Sequence, residues 1–451
     1  MNYKGVFIIK PNILFFFSDQ QRYDTLGCNG QSLPITPNLD KLAAEGVNFD
    51  SAYTPQPVCG PARACLQTGL YPTETGCTIN GIGLQVNQDT LAKRMNDAGY
   101  ETAYVGKWHL ASDNPTGHHY EYSPIPEERR GGYRDYWYAS DLLELTSHGY
   151  NGYLFDKDNN KVEFKGFRAD CITDYAVDYL KQYNSEKPFF LFVSHIEPHH
   201  QNDHNAFEGP EGSKEKFSDY QKPADLPDGK GNWEEFMPDY LGCCNALDKN
   251  LGRLIEVLKE KGLYENTLII YASDHGCHFR TIDEREGNGF DDYKRNSFEN
   301  TIHVPLVLRG PGFLGGKREE KLVSLIDLPK TILTAAGADM IDCMHGRALQ
   351  EINEDWENAV YIQISESYVG RAIRTDRYKY VVHAPGKMPR SEWDSDWYEE
   401  KYLFDLKADP LERNNLLDNK SFAGIKAALK ERLLAFSKEA GEQIQEIRER
   451  K

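Results

Sequence analysis

The sequence predicts an α/β fold: a large, mostly parallel mixed sheet sandwiched by helices, followed by a smaller antiparallel sheet with a packed helix. Three observations carry this. Short, almost wholly apolar runs (12–18, 188–194 and 267–272) read as strands buried on both faces, the signature of a parallel sheet. Between them lie stretches with helical period, and strands alternating with helices build such a sheet. After about residue 345 the pattern changes to closely spaced strand-like segments. At 451 residues the chain exceeds one ordinary core. It divides into a large domain (1–350) and a smaller one (351–451).

Taken in order, residues 12–18 form a first strand running into Asp19-Gln20-Gln21. A short helix over 39–46 and a strand over 47–53 lead to a helix beginning at Cys59, which Thr68-Gly69 closes. An amphipathic helix over 90–99, capped near Asp89 and stopped by Gly99, precedes a strand over 102–106. Residues 112–165 are polar, aromatic and without a period, and are expected as a loop-like insertion at the rim of a site. A helix over 172–183, the strand 188–194, a long helix over 239–261 and strands over 267–272 and 304–309 complete the first domain. The second has strands over 359–366, 370–375, 378–383 and 402–405, then a terminal helix over 422–448.

A net charge of −18, from 52 basic and 70 acidic residues, argues against nucleic acid, whose phosphates need a basic surface. An anionic small molecule stays admissible, because a few local cations dominate a site. The sequence lacks the run of about 20 apolar residues that a membrane-spanning helix needs, so no membrane partner is expected. Ile13 to Phe17 reads as a buried strand and not as part of a signal peptide. The expected location is cytoplasmic as given, or periplasmic or secreted if a leader was trimmed. Nine cysteines at irregular spacings do not make a disulfide framework, and Cys243-Cys244 reads as packing.

The most informative stretch is Cys59-Gly-Pro-Ala-Arg-Ala-Cys-Leu-Gln-Thr-Gly69. Pro61 suits the first turn of a helix, which places Cys59 at the end where free N–H groups and the macrodipole favour an anion. Arg63, able to reach back towards Cys59, adds a permanent charge and a planar fork of donors. Asp19, Asp274 and His275 stand just past strand ends, where ligand sites form in open α/β sheets. Two carboxylates and an imidazole can hold a divalent cation; oxygen ligands point to Ca²⁺ or Mg²⁺, and the imidazole leaves Mn²⁺ open. Lys107 and His109, two apart at a strand end, fall on one side of it.

These residues resemble the type I sulfatases of the alkaline-phosphatase-like superfamily. The resemblance rests on Cys59-x-Pro-x-Arg63, Gly106-Lys-Trp-His109, Pro198-His199 after an apolar strand, Lys294 ahead of the strand at 304, and the closing segment 402–416. It implies that Cys59 is oxidised by a formylglycine-generating maturation enzyme, and that the hydrated formylglycine attacks sulfur. It implies metal ligation by Asp19, Gln20, Asp274, His275 and the modified residue 59; Gln20 and His275 are departures from the acidic and amide residues many members carry. It implies sulfate binding by Lys107, Lys294 and His199, protonation of the leaving oxygen by His199 or Lys294, and release of sulfate with His109 as base. His195, His200 and His204 read as rim, and His278 and His303 as weaker candidates. Three functions compete: hydrolysis of a sulfate ester, expected on a sulfated carbohydrate; hydrolysis of a phosphonate or phosphate ester; and non-catalytic binding of an anionic glycan if Cys59 stays unmodified. The sugar, the sulfated position, endo or exo action and oligomeric state are left open by the sequence.

Overall fold

A computed structural model describes residues 10–282 and 293–450. The segment before Lys10, read above for a leader, lies outside the described residues. The large sheet has eleven strands. Its centre is parallel: Thr267–Ser273, Asn12–Ser18, Phe189–Ser194, Glu101–Lys107 and Tyr136–Ser140 lie side by side in that order. Leu306–Arg309 and Val47–Phe49 add antiparallel pairings on one flank, and Asn151–Asp156 with its neighbours does so on the other.

The central strands are apolar throughout because both faces are covered. Along the first strand Ile13, Phe15 and Phe17 join one core, with Ala64 and Leu66 of Cys59–Thr68 and Ile332 of Asp327–Ala336. Leu14 and Phe16 point the other way, towards Ile172 of Arg168–Gln182 and Leu247 of Trp233–Glu260. This two-residue alternation fixes the register, since a slip of one residue would exchange the two cores. Among the described residues no helix is long and apolar enough to cross a membrane.

Several sequence expectations need correction. Residues 112–165 are not loop throughout: Tyr136–Ser140, Ser147–His148, Asn151–Asp156 and Lys161–Lys165 extend the large sheet. Their strands are short and partly exposed, so no sustained apolar run marks them, and much of their aromatic content is packing. Trp137 stacks on Tyr104 at 5.3 Å and meets Trp108 edge-on. The expected strand 47–53 breaks at Asp50-Ser51. Val47–Phe49 stays in the large sheet, whereas Ala52–Tyr53 pairs with Val323–Ser324. The terminal helix is Ala423–Glu439; Gly441 follows at φ 74°, and Glu446–Arg448 returns as a strand beside Trp397–Asp405.

The second sheet starts at Ala359 and runs antiparallel through Ala359–Ile364, Gly370–Thr375, Tyr378–His383 and Trp397–Asp405. Leu429 and Leu433 of the terminal helix pack on one face with Tyr361 and Ile373. The other face, through Val360, Ile362 and Val381, shares a core with Tyr53, Ile302 and Leu322. That shared core matters for the site, because it fixes the chain just downstream of Lys294.

Candidate active site

The site forms where parallel strands end together. Ser18 and Ser273 are in register, so the residues after them, Asp19 and Asp274, emerge side by side. The Asp19 N–H donates to the Glu197 carbonyl at 3.1 Å, which ties the next strand's exit to the same point. Lys107 ends Glu101–Lys107, whose Gly106 pairs with Ser194. Gly106 sits at φ 105°, and a Cβ there would lie 1.9 Å from the Ser194 carbonyl oxygen, so only glycine allows this approach. His109 does reach the same cavity as Lys107, but not by strand alternation: it adopts φ 61°, and its N–H is held by the Asp141 carbonyl at 2.7 Å.

Cys59 opens the helix Cys59–Thr68, which Gly69 closes at φ 71°. Pro61 lies in the first turn, where its missing N–H costs nothing. The free Gly60 N–H is taken by Asn80 Oδ1 at 2.9 Å. The thiol, 1% exposed, is ringed by reactive groups: Lys294 Nζ at 3.2 Å, His275 Nε2 at 3.2 Å and Asp19 Oδ1 at 3.5 Å. Lys294 Nζ also stands 2.9 Å from His199 Nε2. Lys107 Nζ donates to Asp19 Oδ2 at 2.7 Å. Arg63 does not turn back to the thiol in this arrangement. Its fork donates to Asp19 Oδ2 at 2.9 Å and Ser194 Oγ at 2.7 Å, and lies 3.2 Å from Asp274 Oδ2, so it positions the carboxylates. Nine of the ten residues expected at the site are thus brought together around one point, and the Gln20 side chain turns away. Its N–H donates to Asp274 Oδ1 at 3.1 Å, and its amide Nε2 to Cys277 Sγ at 3.4 Å.

Burial alone would keep these groups neutral; their neighbours decide otherwise. Burial raises the Cys59 thiol, but Lys107, Lys294, His275 and a hydrogen bond from His109 outweigh it and hold the thiol well below its usual range. Burial and the Cys59 charge oppose ionisation of Asp19, yet Lys107, His199 and Arg63 bring its carboxyl well below the carboxylate norm. Asp274 is pushed up to about 7, first by burial and then by the Asp19 charge beside it. His199 is lowered by burial and by Lys294.

Asp19, Cys59, Asp274 and His275 offer ligand atoms that all lie within 4.8 Å of one another, so they could hold a metal ion. The donor set fits a divalent cation. Two buried carboxylates repel each other strongly enough to raise Asp274, a repulsion a cation removes. The His275 ring places Nδ1 3.0 Å from the Gly276 carbonyl, which leaves Nε2 to face the cluster.

The residues open on a cavity of about 340 Å³. Its outer wall includes Ser112, Glu121, Asp141 and Glu144 of the 112–165 segment expected at the rim, together with Asn80 and Arg295, which the sequence did not mark. An Asn80-Gly81 turn signal was the only local hint. A larger cavity of about 640 Å³ lies under Tyr71 and Tyr361 and holds none of these groups, so size does not mark the site. The other histidines sit elsewhere. His195 packs at a tilt against Phe16, His200 likewise against Tyr293, and His303 stacks on Tyr23. His204 is half exposed, and His278 is buried with its N–H on the Tyr293 carbonyl.

Comparison with known proteins decides the family. Residues 11–338 match the sulfatase family model. The chain belongs to the sulfatase family. The sulfatase also matches, over 287–439, the model of the N-sulphoglucosamine sulphohydrolase C-terminal region. It is 31% identical to an ulvan-active sulfatase of Formosa agariphila, over 96% of this chain and 82% of that one. It is 27% identical to the N-acetylglucosamine-6-O-sulfatase of Bacteroides thetaiotaomicron, over 92% and 84%. The crystal structure of the protein yidJ from Bacteroides fragilis superimposes with a TM-score of 0.81 at 25% identity, covering 97% of both chains. The sulfatase is a sulfuric ester hydrolase.

Proposed function

We propose that this sulfatase removes sulfate from a sulfated carbohydrate, with Cys59, as formylglycine, at the point of attack. The observation that carries this reading is the convergence of Lys294, His275 and Asp19 within 3.5 Å of the Cys59 sulfur, at the floor of a cavity. A carbohydrate is favoured because the cavity wall is hydroxyl-binding: Asn80, Ser112, Asn114, Asn202 and the carboxyl groups of Glu121, Asp141 and Glu144. Two relatives are named for action on sulfated saccharides. A cavity of about 340 Å³ is at the small end for ligand sites, which suits one sulfated sugar at a time.

When bound, a cation held by Asp19, Asp274, His275 and residue 59 supplies Lewis-acid stabilisation, and formylglycine supplies the geminal hydroxyls that cysteine lacks. Calcium suits the oxygen-rich set, with Mg²⁺ or Mn²⁺ also admissible. Lys107 and Lys294 bracket the sulfuryl oxygens and offset their charge. Arg63 holds Asp19 and Asp274 in place. Lys294 carries the proton it shares with His199 Nε2, and this pair delivers it to the departing sugar oxygen. His109, hydrogen-bonded to the residue-59 side chain and with Nδ1 unpartnered, takes the proton whose loss expels sulfate. Cys59 is 1% exposed at the floor of that cavity, within reach of a small substrate but not of a second protein, so the maturation enzyme would meet it before folding is complete.

The test is sulfate release from a panel of singly sulfated monosaccharides, with a phosphonate ester in parallel. We expect turnover on a sulfated sugar, lost on chelation and restored by Ca²⁺. Faster turnover of the phosphonate by the matured, metal-loaded enzyme would sink the reading. Mass analysis of the Cys59 peptide establishes maturation, since formylglycine is lighter than cysteine.

A further inference from the structure

Outside the catalytic cluster one other group of metal-ligating side chains converges among the described residues. His148, at the end of Ser147–His148, faces Asp203 and His204 of the loop after Phe189–Ser194, and their ligand atoms also lie within 4.8 Å of one another. His148 Nε2 is 2.8 Å from Asp203 Oδ2, and the imidazoles of His148 and His204 lie parallel, 4.0 Å apart. All three are half exposed, so a cation reaches them from solvent without any opening of the fold.

The cluster is more than adjacent polar groups, because its remaining atoms are already fixed. Asp203 Oδ1 accepts from Gln201 Nε2 at 2.8 Å. His204 Nδ1 is 2.5 Å from Glu208 Oε1, and the other Glu208 oxygen accepts from the Gly149 N–H at 2.6 Å. A carboxylate bound to one ring nitrogen, which leaves the other to a metal, is the outer arrangement that histidine ligands usually have. Burial opposes ionisation of Asp203, but hydrogen bonds from His148 and Gln201 together outweigh it and bring its carboxyl down to about 2.

We propose that His148, Asp203 and His204 form a second cation site, selective for zinc-class transition ions over the hard cations suited to the catalytic cluster. Two imidazoles with one carboxylate and open positions for water suit Zn²⁺, whereas Ca²⁺ and Mg²⁺ want oxygen donors. The ion would brace the cavity from outside. Gln201 Nε2 also bonds the Glu144 carbonyl at 3.0 Å, and the Asn202 N–H bonds Glu144 Oε1 at 3.0 Å. Asn202 and Glu144 both line the catalytic cavity, so the clamped loop and strand are its wall.

The experiment is calorimetric titration of Zn²⁺ into the full-length, Ca²⁺-loaded enzyme at pH 7.5. The variants His148→Ala, His204→Ala, the near-isosteric His204→Gln and Asp203→Asn are titrated alongside. Any Zn²⁺ entering the catalytic cluster is common to all and cancels in the comparison. We expect one Zn²⁺ site in the wild type that each variant weakens at least tenfold while Ca²⁺-supported turnover persists. Equal Zn²⁺ affinity in wild type and variants, or no such site in the wild type, overturns the proposal. Retained turnover in His204→Gln shows that the loss is of ligands and not of folding.

Discussion

Two buried clusters of charge lie on either side of the Lys294 segment, and only one is built to react. Around Glu299 the chain buries two carboxylates and two cations. Lys379 pairs with Glu299 and Glu412, Arg374 pairs with Glu299, and Tyr53 donates to the same carboxylate at 3.1 Å. That set is balanced in charge. Around Cys59 two carboxylates face three permanent cations, Arg63, Lys107 and Lys294, together with His109, His199 and His275. There the charges gather on a nucleophile, and a cavity opens above it. Buried charge alone therefore does not mark the candidate site; buried charge gathered on a nucleophile beneath a cavity does.

The Lys294 segment is also tied to the C-terminal domain and to the Cys59 helix. Arg295, next to Lys294, bonds Glu366, in the connection between Ala359–Ile364 and Gly370–Thr375, at 2.5 Å, and its N–H donates to the Pro57 carbonyl at 3.2 Å. Glu366 Oε1 accepts from the Asn80 N–H at 2.6 Å. The C-terminal sheet is thus a buttress that sets where Lys294 stands relative to the Cys59 helix.

The contrast breaks most decisively at its centre. Cys59→Ala or Cys59→Ser should abolish sulfate release while leaving the melting temperature close to wild type; measurable turnover would refute the assigned nucleophile. The next largest effect separates the clusters. Lys294→Ala should lower kcat by about 10²–10³-fold, as expected for a lost transition-state donor, with little change in unfolding free energy. Lys379→Met should do the reverse, costing about 3–5 kcal/mol in urea unfolding because it strands buried carboxylates, while folded enzyme keeps its kcat. Equal effects of the two substitutions on kcat would erase the distinction.

A smaller effect follows from protonation. Burial holds His195 neutral, with its pKa lowered to about 4 from 6.5. Between those values the unfolded chain binds a proton that the folded chain refuses. Its contribution is therefore complete above pH 6.5 and is lost as pH falls towards 4. Relative to His195→Gln, the wild type should lose up to about 1.4 kcal/mol per pH unit in that window, read by urea unfolding at pH 7 and pH 4.5. The smallest expected change is Glu366→Gln, which loosens Arg295 and so the placement of Lys294. About a tenfold drop in kcat/KM, equivalent to about 1.4 kcal/mol, would measure the buttress.

Much of this was legible beforehand. Apolar runs gave the central strands to within a residue or two, because strands buried on both faces tolerate little else. Asp19, Lys107 and Asp274 were readable as residues just past strand ends, and Cys59 as a helix start from Pro61 and Gly69. The margins were not readable. Tyr136–Ser140 and Asn151–Asp156 are short and half exposed, so their pairing partners, and not their own pattern, make them strands. Arg63 was expected to reach the thiol, but its fork finds two carboxylates that only the sheet register brings within range. His109 shares the cavity with Lys107 through a left-handed backbone that no periodicity encodes.

By itself, then, the sequence determined which chemical groups this protein has and at which strand ends and helix start they stand, since periodicity and turn chemistry are local. The tertiary structure alone decided which of them meet. It set Asp19 beside Asp274 through the Ser18–Ser273 register, walled the cavity with Glu144 and Asn80, and braced Lys294 from the second sheet. Those contacts join residues tens to hundreds of positions apart, where the energy of packing and of pairing buried charge outweighs any local preference.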